Sequence, residues 1–328
     1  MPQIAGSRFL ITGGASLIGS HVTDALLAAG ASEVRLFDNL ALGTHDMLRH
    51  LEGDSRVSLI RGDVLRLNEL IDAAGDTAGV FALAAFLTLP LSRNVPLGVA
   101  VNTDGVVNTL EAARIAGAAR VVLSSSISVY GASAPDRLVE TVPFTSAGQQ
   151  PATNLYGISK LLGEALCAHY ASAHKLEYNA LRFSSVYGER QHARAVNALF
   201  MAETYDRIAR GERPVITGDG TEVHDYIYVT DVAAACVAAM ASPSHANTLN
   251  IATGTDTTLT RVVELLLEAY GASHLTPDYR PDTRSVKSAS LGHLRLSRAE
   301  AERTIGWTPC VPIEEGIRRY VAWRRRNR

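Results

Sequence analysis

A tyrosine and a lysine stand four residues apart in the segment NLYGISKLLGEAL, and their types and spacing suit proton transfer. On a helix this spacing puts Tyr156 and Lys160 on one face. An ammonium beside a phenol favours the phenolate, so we expect Lys160 to lower the pKa of Tyr156 toward neutral pH. The pair is a candidate general acid–base, with an ordinary surface pair as the alternative.

A strand end rich in serine precedes this pair. The run RVVLSSSISVYG predicts a strand that ends in Ser124, Ser125 and Ser126. Open α/β folds bind ligands at the carboxyl edge of the sheet, where such a hydroxyl could meet a substrate. A serine, a tyrosine and a lysine in this order are much less expected by chance than Tyr-x-x-x-Lys alone.

The segment FLITGGASLIGSH predicts a strand, a glycine turn and a helix that together suit a dinucleotide. Gly13 permits the tight turn, and Gly19 lets the helix pack closely on the strand. Backbone N–H groups at the start of the helix attract a diphosphate. Ser16 stands where a G-x-x-G-x-x-G turn has its middle glycine, so its Cβ and hydroxyl must either displace the diphosphate or donate a hydrogen bond to it.

An acidic residue at the end of the second predicted strand supports this interpretation. The segment EVRLFDN places Asp38 nineteen residues after Gly19, where a carboxylate can accept hydrogen bonds from an adenosine ribose. A carboxylate repels a 2′-phosphate, so the cofactor is expected to be NAD, and the alternative for Asp38 is a turn residue. Asp63 and Val64 end the third strand within reach of an adenine. Because of Ser16, we expect this chain to retain NAD less firmly than a chain whose turn has glycine at all three positions.

The elements that must position these residues alternate between short apolar strands and longer helical patterns. This alternation predicts an α/β fold, a Rossmann-type doubly wound parallel sheet, with residues 1–182 as the NAD-binding domain. The rhythm breaks after about residue 183, so residues 183–328 are expected to form mainly a smaller α/β substrate-binding domain. Within residues 223–253, the strand-like segments DYIYV and TLNIA are expected to rejoin the main sheet.

Two helices are predicted near the end of the chain. Ser297 and Glu300 have the spacing of a capping box for a short helix. A last helix is expected to follow Pro312, because proline is favoured at the start of a helix.

The composition of the chain limits which kinds of protein, partner and location remain possible. The 328 residues are 47% hydrophobic and 20% charged, which suffices for a sizeable core. A formal net charge of −2 creates no global field for nucleic acid or an anionic membrane. Three widely spaced cysteines predict neither a disulfide framework nor a metal site. The apolar runs are too short to span a bilayer and no signal peptide is evident, so a soluble cytoplasmic protein is expected.

The motifs together resemble the extended short-chain dehydrogenase/reductases, especially the NAD-dependent epimerase/dehydratase branch typified by UDP-glucose 4-epimerase. The resemblance rests on the order of TGGASLIGSH, FDNL, GDV, LAA, NTDGVVNTLEAAR, SSSISVYG, YGISK, LRFSSVYGERQ, GDGTEVHDYIYVTDVA and IGWTP. It implies that Ser126 bonds the reacting hydroxyl, Tyr156 exchanges its proton, and Lys160 holds the nicotinamide ribose. It adds these cofactor-binding residues: Leu17, Ile18, Asn39, Leu83, Ala84, Ala85, Asn102 and Ser124.

The resemblance also narrows the chemistry. Dehydratases of this branch resemble STDEVYG where this chain has Ile127 and Ser128, so elimination of water is not expected. The leading hypothesis is an NAD-dependent epimerase that acts on a sugar, linked to a nucleotide, through a transient ketone. The alternatives are a net dehydrogenase of a carbohydrate-like alcohol without a nucleotide, and a non-catalytic NAD sensor.

Substrate-binding positions depart from the pattern of the branch. Ser185 stands where members typically have asparagine, and His224 stands where they have an arginine. Glu189 replaces a usual proline. Imidazole cannot reproduce the bidentate grip of a guanidinium on phosphate. We assign Ser185, Arg190, His224 and Arg280 to substrate binding, the alternatives being a structural histidine and surface cations.

Two predicted helices have the sequences VAVNTDGVVNTLEAARIAGA and LYGISKLLGEALCAHYASA. Their apolar residues cover a larger part of the helix circumference than a single buried face requires. Members of the family pair these helices across a dimer interface, so the resemblance implies a homodimer. Deeper burial within one subunit is the alternative.

Overall fold

The computed structural model describes residues 2–132, 137–191, 196–283 and 295–327. Its strands are β1 (Arg8–Thr12), β2 (Glu33–Asp38), β3 (Val57–Arg61), β4 (Gly79–Ala82), β5 (Arg120–Ser126), β6 (Glu177–Phe183), β7 (Ser185–Tyr187), β8 (Val215–Thr217), β9 (Val223–His224), β10 (Tyr226–Tyr228), β11 (Asn247–Ile251), β12 (Thr257–Thr258) and β13 (Asp278–Arg280). Its α-helices are α1 (Leu17–Ala28), α2 (Leu67–Ala74), α3 (Thr88–Arg93), α4 (Val95–Ile115), α5 (Pro151–His174), α6 (Val196–Ala209), α7 (Val229–Ala241), α8 (Leu259–Tyr270), α9 (Ala299–Ile305) and α10 (Ile313–Arg326).

The central sheet has seven strands in the order β11-β6-β5-β4-β1-β2-β3. All neighbouring strands in it run parallel. Because β1 lies between β4 and β2, the winding of the chain reverses next to β1, where doubly wound sheets leave a ligand crevice. The predicted Rossmann-type parallel sheet is therefore confirmed.

Helices cover both faces of this sheet, as β1 illustrates. Phe9 and Ile11 pack with α1 and α7 on one face, whereas Leu10 packs with α2 and α4 on the other. Alternate side chains of a strand point to opposite faces, so a strand covered on both sides needs an unbroken apolar run. The run FLI in β1 meets that requirement.

A third apolar cluster joins α6, α8 and α10 to short strands outside the main sheet. These strands pair as β10 with β7, β13 with β8 and β12 with β9. The segment TLNIA forms β11 and joins the main sheet beside β6 as expected. The same expectation is wrong for DYIYV, which forms β10, because β5 and β11 already occupy both edges of β6. The division at residues 182 and 183 stays a prediction.

The predicted capping box near the end of the chain is wrong. α9 begins at Ala299, and its N-cap residue Arg298 makes no side-chain capping bond. Ser297 is instead held by its backbone, whose N–H donates to the Leu138 carbonyl and whose carbonyl accepts from the Asn250 amide. The prediction of a last helix after Pro312 is confirmed by α10.

Candidate active site

A cleft of about 360 Å³ opens at the carboxyl edge of the central sheet. It is lined by segments that follow β1, β2, β3, β4, β5 and β6, and by α5. The predicted residues among its lining are Gly13, Ser16, Leu17, Ile18, Asp38, Asn39, Val64, Leu83, Ala84, Ala85, Ser124, Ser126, Tyr156, Lys160 and Ser185. The tertiary structure thus brings most of the predicted site residues to one crevice.

The turn after β1 leaves room for nothing larger than glycine at two positions. Gly13 has a φ of +71°, and a Cβ there would lie 2.9 Å from the Ala84 nitrogen. A Cβ at Gly19 would lie 2.5 Å from the Gly13 carbonyl oxygen. Glycine therefore permits both the turn and the close approach of α1 to β1, and the N–H groups at the start of α1 face the cleft.

Ser16 caps α1. Its Oγ accepts a hydrogen bond of 3.1 Å from the Gly19 N–H, and its backbone is extended, as an N-cap residue requires. The side chain also lines the cleft, and the hydroxyl proton is not used in this bond. The serine at the middle-glycine position therefore helps to start the helix that approaches the cofactor.

Replacing Ser16 with alanine should remove this cap. We expect Ser16→Ala to lower the free energy of unfolding by about 1 kcal/mol and Ser16→Gly to lower it by only a few tenths. Urea denaturation measures both, and equal stability of Ser16→Ala and the wild type would contradict the capping role. The affinity of Ser16→Gly for NAD, measured by calorimetry, tests the predicted weaker retention, since a large loss would identify the hydroxyl as a diphosphate ligand.

Asp38 is held in place by backbone donors. Its carboxylate accepts hydrogen bonds from the Ala15 N–H at 3.0 Å and the Leu40 N–H at 2.8 Å. Burial raises the pKa of Asp38, whereas these two bonds oppose the rise. The carboxylate is fixed at the cleft with lone pairs left for a ribose.

Three predicted cofactor residues, Gly19, Asp63 and Asn102, are not part of the cleft lining. The Asp63 carboxylate accepts from the Leu65 N–H at 3.0 Å. Asn102 bonds both backbone groups of Phe86, at 2.8 and 2.9 Å, and the Ser159 hydroxyl at 3.1 Å. Asn102 therefore fixes the loop after β4, which carries the lining residues from Leu83 onward.

These features fit a dinucleotide. The glycine positions at the turn exclude a Cβ, the start of α1 supplies N–H donors, and Asp38 supplies acceptors. Asn39 and Val64 line the same cleft beyond Asp38. The residues that would hold NAD are thus present on one side of the crevice, with the proton-transfer residues at the end of β5.

The predicted catalytic residues meet at the end of β5. Tyr156 and Lys160 are each 7% exposed. The Ser126 side chain lies beside the Tyr156 phenol, where it favours the ionised form of the tyrosine. The Lys160 ammonium donates to the Ser124 carbonyl at 2.8 Å and lies 5.8 Å from the centre of the Tyr156 ring. Serine, tyrosine and lysine are therefore arranged for proton exchange with a hydroxyl in the cleft.

The expected lowering of the tyrosine pKa is wrong for this structure. Burial raises the pKa of Tyr156 to about 12, although Ser126 beside it acts in the opposite direction. Burial also lowers the pKa of Lys160 to about 8, against the attraction of Glu164. Removal of water from each group outweighs the opposing effects of Ser126 on Tyr156 and of Glu164 on Lys160. Tyr156 is consequently a neutral phenol at neutral pH.

The pKa of Lys160 makes a testable contribution to stability. A lysine titrates near 10.5 when unperturbed and at about 8 in this fold. Between these pH values the unfolded chain binds more protons, so stability increases as pH rises from 8 to 10.5. Lys160→Met should lack this increase, which amounts to about 3 kcal/mol. Urea denaturation of both proteins at the two pH values measures it, and parallel pH profiles would contradict it.

A buried charge network lies beneath the predicted catalytic residues. Glu164 accepts from the Ser125 hydroxyl at 2.5 Å and from two nitrogens of Arg182 at 2.9 and 2.8 Å. Arg182 also donates to the Tyr130 hydroxyl at 3.0 Å. Burial opposes the charge of Arg182, but Glu164 raises its pKa above the usual value. Sequence reasoning missed Glu164, although a carboxylate four residues after Lys160 on the same helix face was an available signal.

Three of the predicted substrate residues are paired away from the cleft. His224 is 1% exposed and its Nε2 hydrogen-bonds Glu222 at 2.8 Å. Arg190 forms an ion pair of 2.6 Å with Asp24, and the exposed Arg280 pairs with Asp278 at 2.9 Å. None of the three lines the cleft as described, whereas Ser126 and Ser185 do. Each of the three has an acidic partner, which for His224 and Arg280 is two residues earlier in the chain and for Arg190 lies far away along it.

Several lining residues were not predicted. They are mainly apolar and follow the same strand ends, which is the signal that could have identified them. They include Phe37, Leu42, Met47, Phe86, Leu87, Pro90, Ile127, Phe183 and Gln191. Within the described ranges there is no cluster of side chains that could hold a metal ion, and no helix long and apolar enough to cross a membrane.

Comparison with known proteins places this site in context. The model of the NAD dependent epimerase/dehydratase family matches residues 9–252. The UDP-glucose 4-epimerase of Mycolicibacterium smegmatis is 32% identical over 96% of this chain and 97% of that protein. The structure of the UDP-glucose 4-epimerase of Thermotoga maritima with UDP-glucose has a TM-score of 0.86 at 29% identity, covering 98% of this chain and 99% of the other. That of the Thermus thermophilus UDP-glucose 4-epimerase with NAD has a TM-score of 0.82 at 30% identity, covering 97% and 99%.

Proposed function

The chain belongs to the NAD-dependent epimerase/dehydratase family of extended short-chain dehydrogenase/reductases, and on this premise we propose that it epimerises a nucleotide-linked sugar through a transient ketone. It is an NAD-dependent enzyme. When bound, NAD supplies the hydride acceptor that alcohol oxidation needs. The observation that carries the proposal is the presence of Ser126, Tyr156 and Lys160 in the lining of one cleft, with Lys160 held on the Ser124 carbonyl at the end of β5.

The residues of the chain would manage the proton of the reacting hydroxyl. Ser126 would orient that hydroxyl. Tyr156 would first release its own proton to solvent, a step that its raised pKa makes costly, and as the phenolate it would take up the proton of the reacting hydroxyl and later return it. Lys160, fixed on the Ser124 carbonyl at 2.8 Å, would place its positive charge beside the phenol. Because Tyr156 and Lys160 are almost completely buried, water would have little access to the ketone.

The side chains next to Ser126 favour epimerisation over dehydration. Elimination of water needs a base to remove a proton from carbon, and carboxylates serve this purpose well. Here Ile127 is apolar, and the Ser128 hydroxyl lies 3.2 Å from the Ser126 hydroxyl, within hydrogen-bonding distance. Neither side chain is a base at neutral pH.

A net dehydrogenase of a carbohydrate without a diphosphate is the second candidate. It is favoured by the acidic partners of His224 and Arg190, since Glu222 and Asp24 already bond two side chains that were assigned to a substrate diphosphate. In that case the ketone would be released rather than reduced again.

The purified protein distinguishes these functions. We would measure NAD that survives gel filtration, then follow NADH absorbance and sugar stereochemistry with a panel of sugars and nucleotide sugars. Retained NAD with an altered sugar and no net NADH is expected for the epimerase. Stoichiometric NADH would support the dehydrogenase, and binding without any turnover would support a sensor.

We also propose that the protein is a homodimer joined through α4 and α5. These two helices pack on each other. They expose Val95, Leu97 and Ile115 from α4, and Ile158 and Leu162 from α5, where a subunit with no partner would leave them in water. Light scattering at micromolar concentration should give twice the mass of one chain, and a monomer would reject the proposal.

Cytoplasmic location is likewise our proposal. Cys167, Cys236 and Cys310 are free thiols, and the two former are buried. A reducing compartment preserves such thiols. Fractionation of the producing cells tests the location.

A further inference from the structure

Gln191 presents an unused donor at the cofactor cleft. The side chain is 4% exposed and lines the cleft. Its Oε1 accepts from the Gly188 N–H at 3.3 Å, which orients the amide. Among the described residues its Nε2 has no hydrogen-bond partner. A buried amide nitrogen in this position calls for an acceptor from a ligand, because burial without one is costly.

The loop that carries Gln191 is anchored on the helix that begins at the cofactor turn. Arg190 donates to Asp24 of α1 at 2.6 Å and contacts His50 of the 3₁₀ helix His45–Leu51. Its side chain is 13% exposed. Arg190 also has a φ of +62°, a conformation that is unfavourable for a residue other than glycine and that these contacts must hold.

The surroundings of His21, a residue of α1, show that Arg190 lies close to the start of this helix. The His21 Nδ1 hydrogen-bonds the carbonyl of Leu17, the first residue of α1, at 2.9 Å. Burial, and after it the charge of Arg190, lowers the pKa of His21 to about 3. The arginine therefore lies near the first turns of α1, and the residue after it enters the cleft that those turns line.

Donors from two parts of the chain thus converge on one region. The start of α1, with Ser16, Leu17 and Ile18 in the lining, offers backbone N–H groups. We propose that Gln191, which lines the same cleft, donates a hydrogen bond to a diphosphate oxygen of NAD, so that the segment from Gly188 to Gln191 straps the cofactor to α1. A substrate diphosphate presents the same chemistry, but the anchorage on α1 assigns the bond to the cofactor. The inference rests on the NAD cofactor and not on the proposed epimerisation.

Binding measurements without any sugar test the strap. Protein stripped of nucleotide with charcoal would be titrated by calorimetry with NAD, ADP, adenosine and UDP. Gln191→Leu should weaken NAD and ADP about tenfold, because it loses one charge-assisted bond. Gln191→Glu, which keeps the shape and adds a negative charge, should weaken them about a hundredfold. Binding of adenosine, which has no phosphate, and of UDP should change less than twofold.

A matched control uses another glutamine. Gln149 donates its Nε2 to the Gly131 carbonyl at 2.9 Å and does not line the cleft as described, so Gln149→Leu should leave all four affinities unchanged. Thermal unfolding without nucleotide identifies a variant that fails to fold, in which case the isosteric Gln191→Glu decides. Unchanged affinity for ADP overturns the proposal, as does an equal loss for adenosine. A loss for UDP as large as that for ADP also overturns it.

Discussion

Replacing Tyr156 with phenylalanine is expected to lower kcat by at least about a hundredfold. The variant removes a single oxygen, the one that lies beside Ser126 and that would exchange the proton of the substrate. The ring would keep its buried position beside Lys160, so the fold and the affinity for NAD should remain close to those of the wild type. Turnover of the substrate found by the panel, with NAD affinity measured in parallel, checks this result.

The control for this experiment lies on the same helix. The Tyr170 hydroxyl bonds Glu111 at 3.2 Å on α4, far along α5 from the cleft. Tyr170→Phe therefore removes the same atom without touching the reacting hydroxyl and should retain nearly full kcat. Near-normal activity in Tyr156→Phe would refute the role of Tyr156 in either the epimerase or the dehydrogenase.

Replacing Glu164 with alanine is expected to lower the free energy of unfolding by about 3 to 5 kcal/mol. The side chains of Glu164 and Arg182 are 10% and 8% exposed, so the variant would leave a guanidinium charge buried without its partner. The Ser125 hydroxyl would lose its acceptor as well. Urea denaturation monitored by circular dichroism measures the change in stability.

Two further variants separate the loss of a charge partner from the loss of packing. Glu164→Leu combined with Arg182→Met replaces both charges with apolar groups and should be more stable than Glu164→Ala, because no charge is left unpaired. Glu315→Ala breaks ion pairs with Arg318 and Arg319 on the surface of α10 and should cost less than about 1 kcal/mol. A loss below about 1 kcal/mol in Glu164→Ala would show that the buried pair contributes little.

Local spacing was enough to predict the parts of the site that depend on one or two neighbouring elements. Gly13 and Gly19 belong to a single strand–turn–helix unit, and Asp38 ends the strand beside it. Tyr156 and Lys160 share a face of α5 because four residues make about one helical turn. For these residues the backbone geometry of regular elements decides where the side chains point.

The same reasoning does not reveal a partner that lies across the fold. Arg190 meets Asp24 on α1, 166 residues away along the chain, and it is not among the residues that line the cleft. The pattern of the sequence contains the residue types but not their distances. It also gave no sign that β6 would have both edges occupied and exclude β10 from the sheet.

The sequence by itself determined the Rossmann-type framework and the strand–turn–helix unit after β1, and it singled out the residues that we propose for proton transfer. Only the tertiary structure decided their electrostatics, because desolvation depends on everything packed around a group and not on its neighbours in the chain. Burial raises the pKa of Tyr156 and lowers that of Lys160, opposite to what the spacing of the pair suggests for the tyrosine. The fold likewise placed Glu164 on Arg182 beneath them and turned Gln191 toward the cleft.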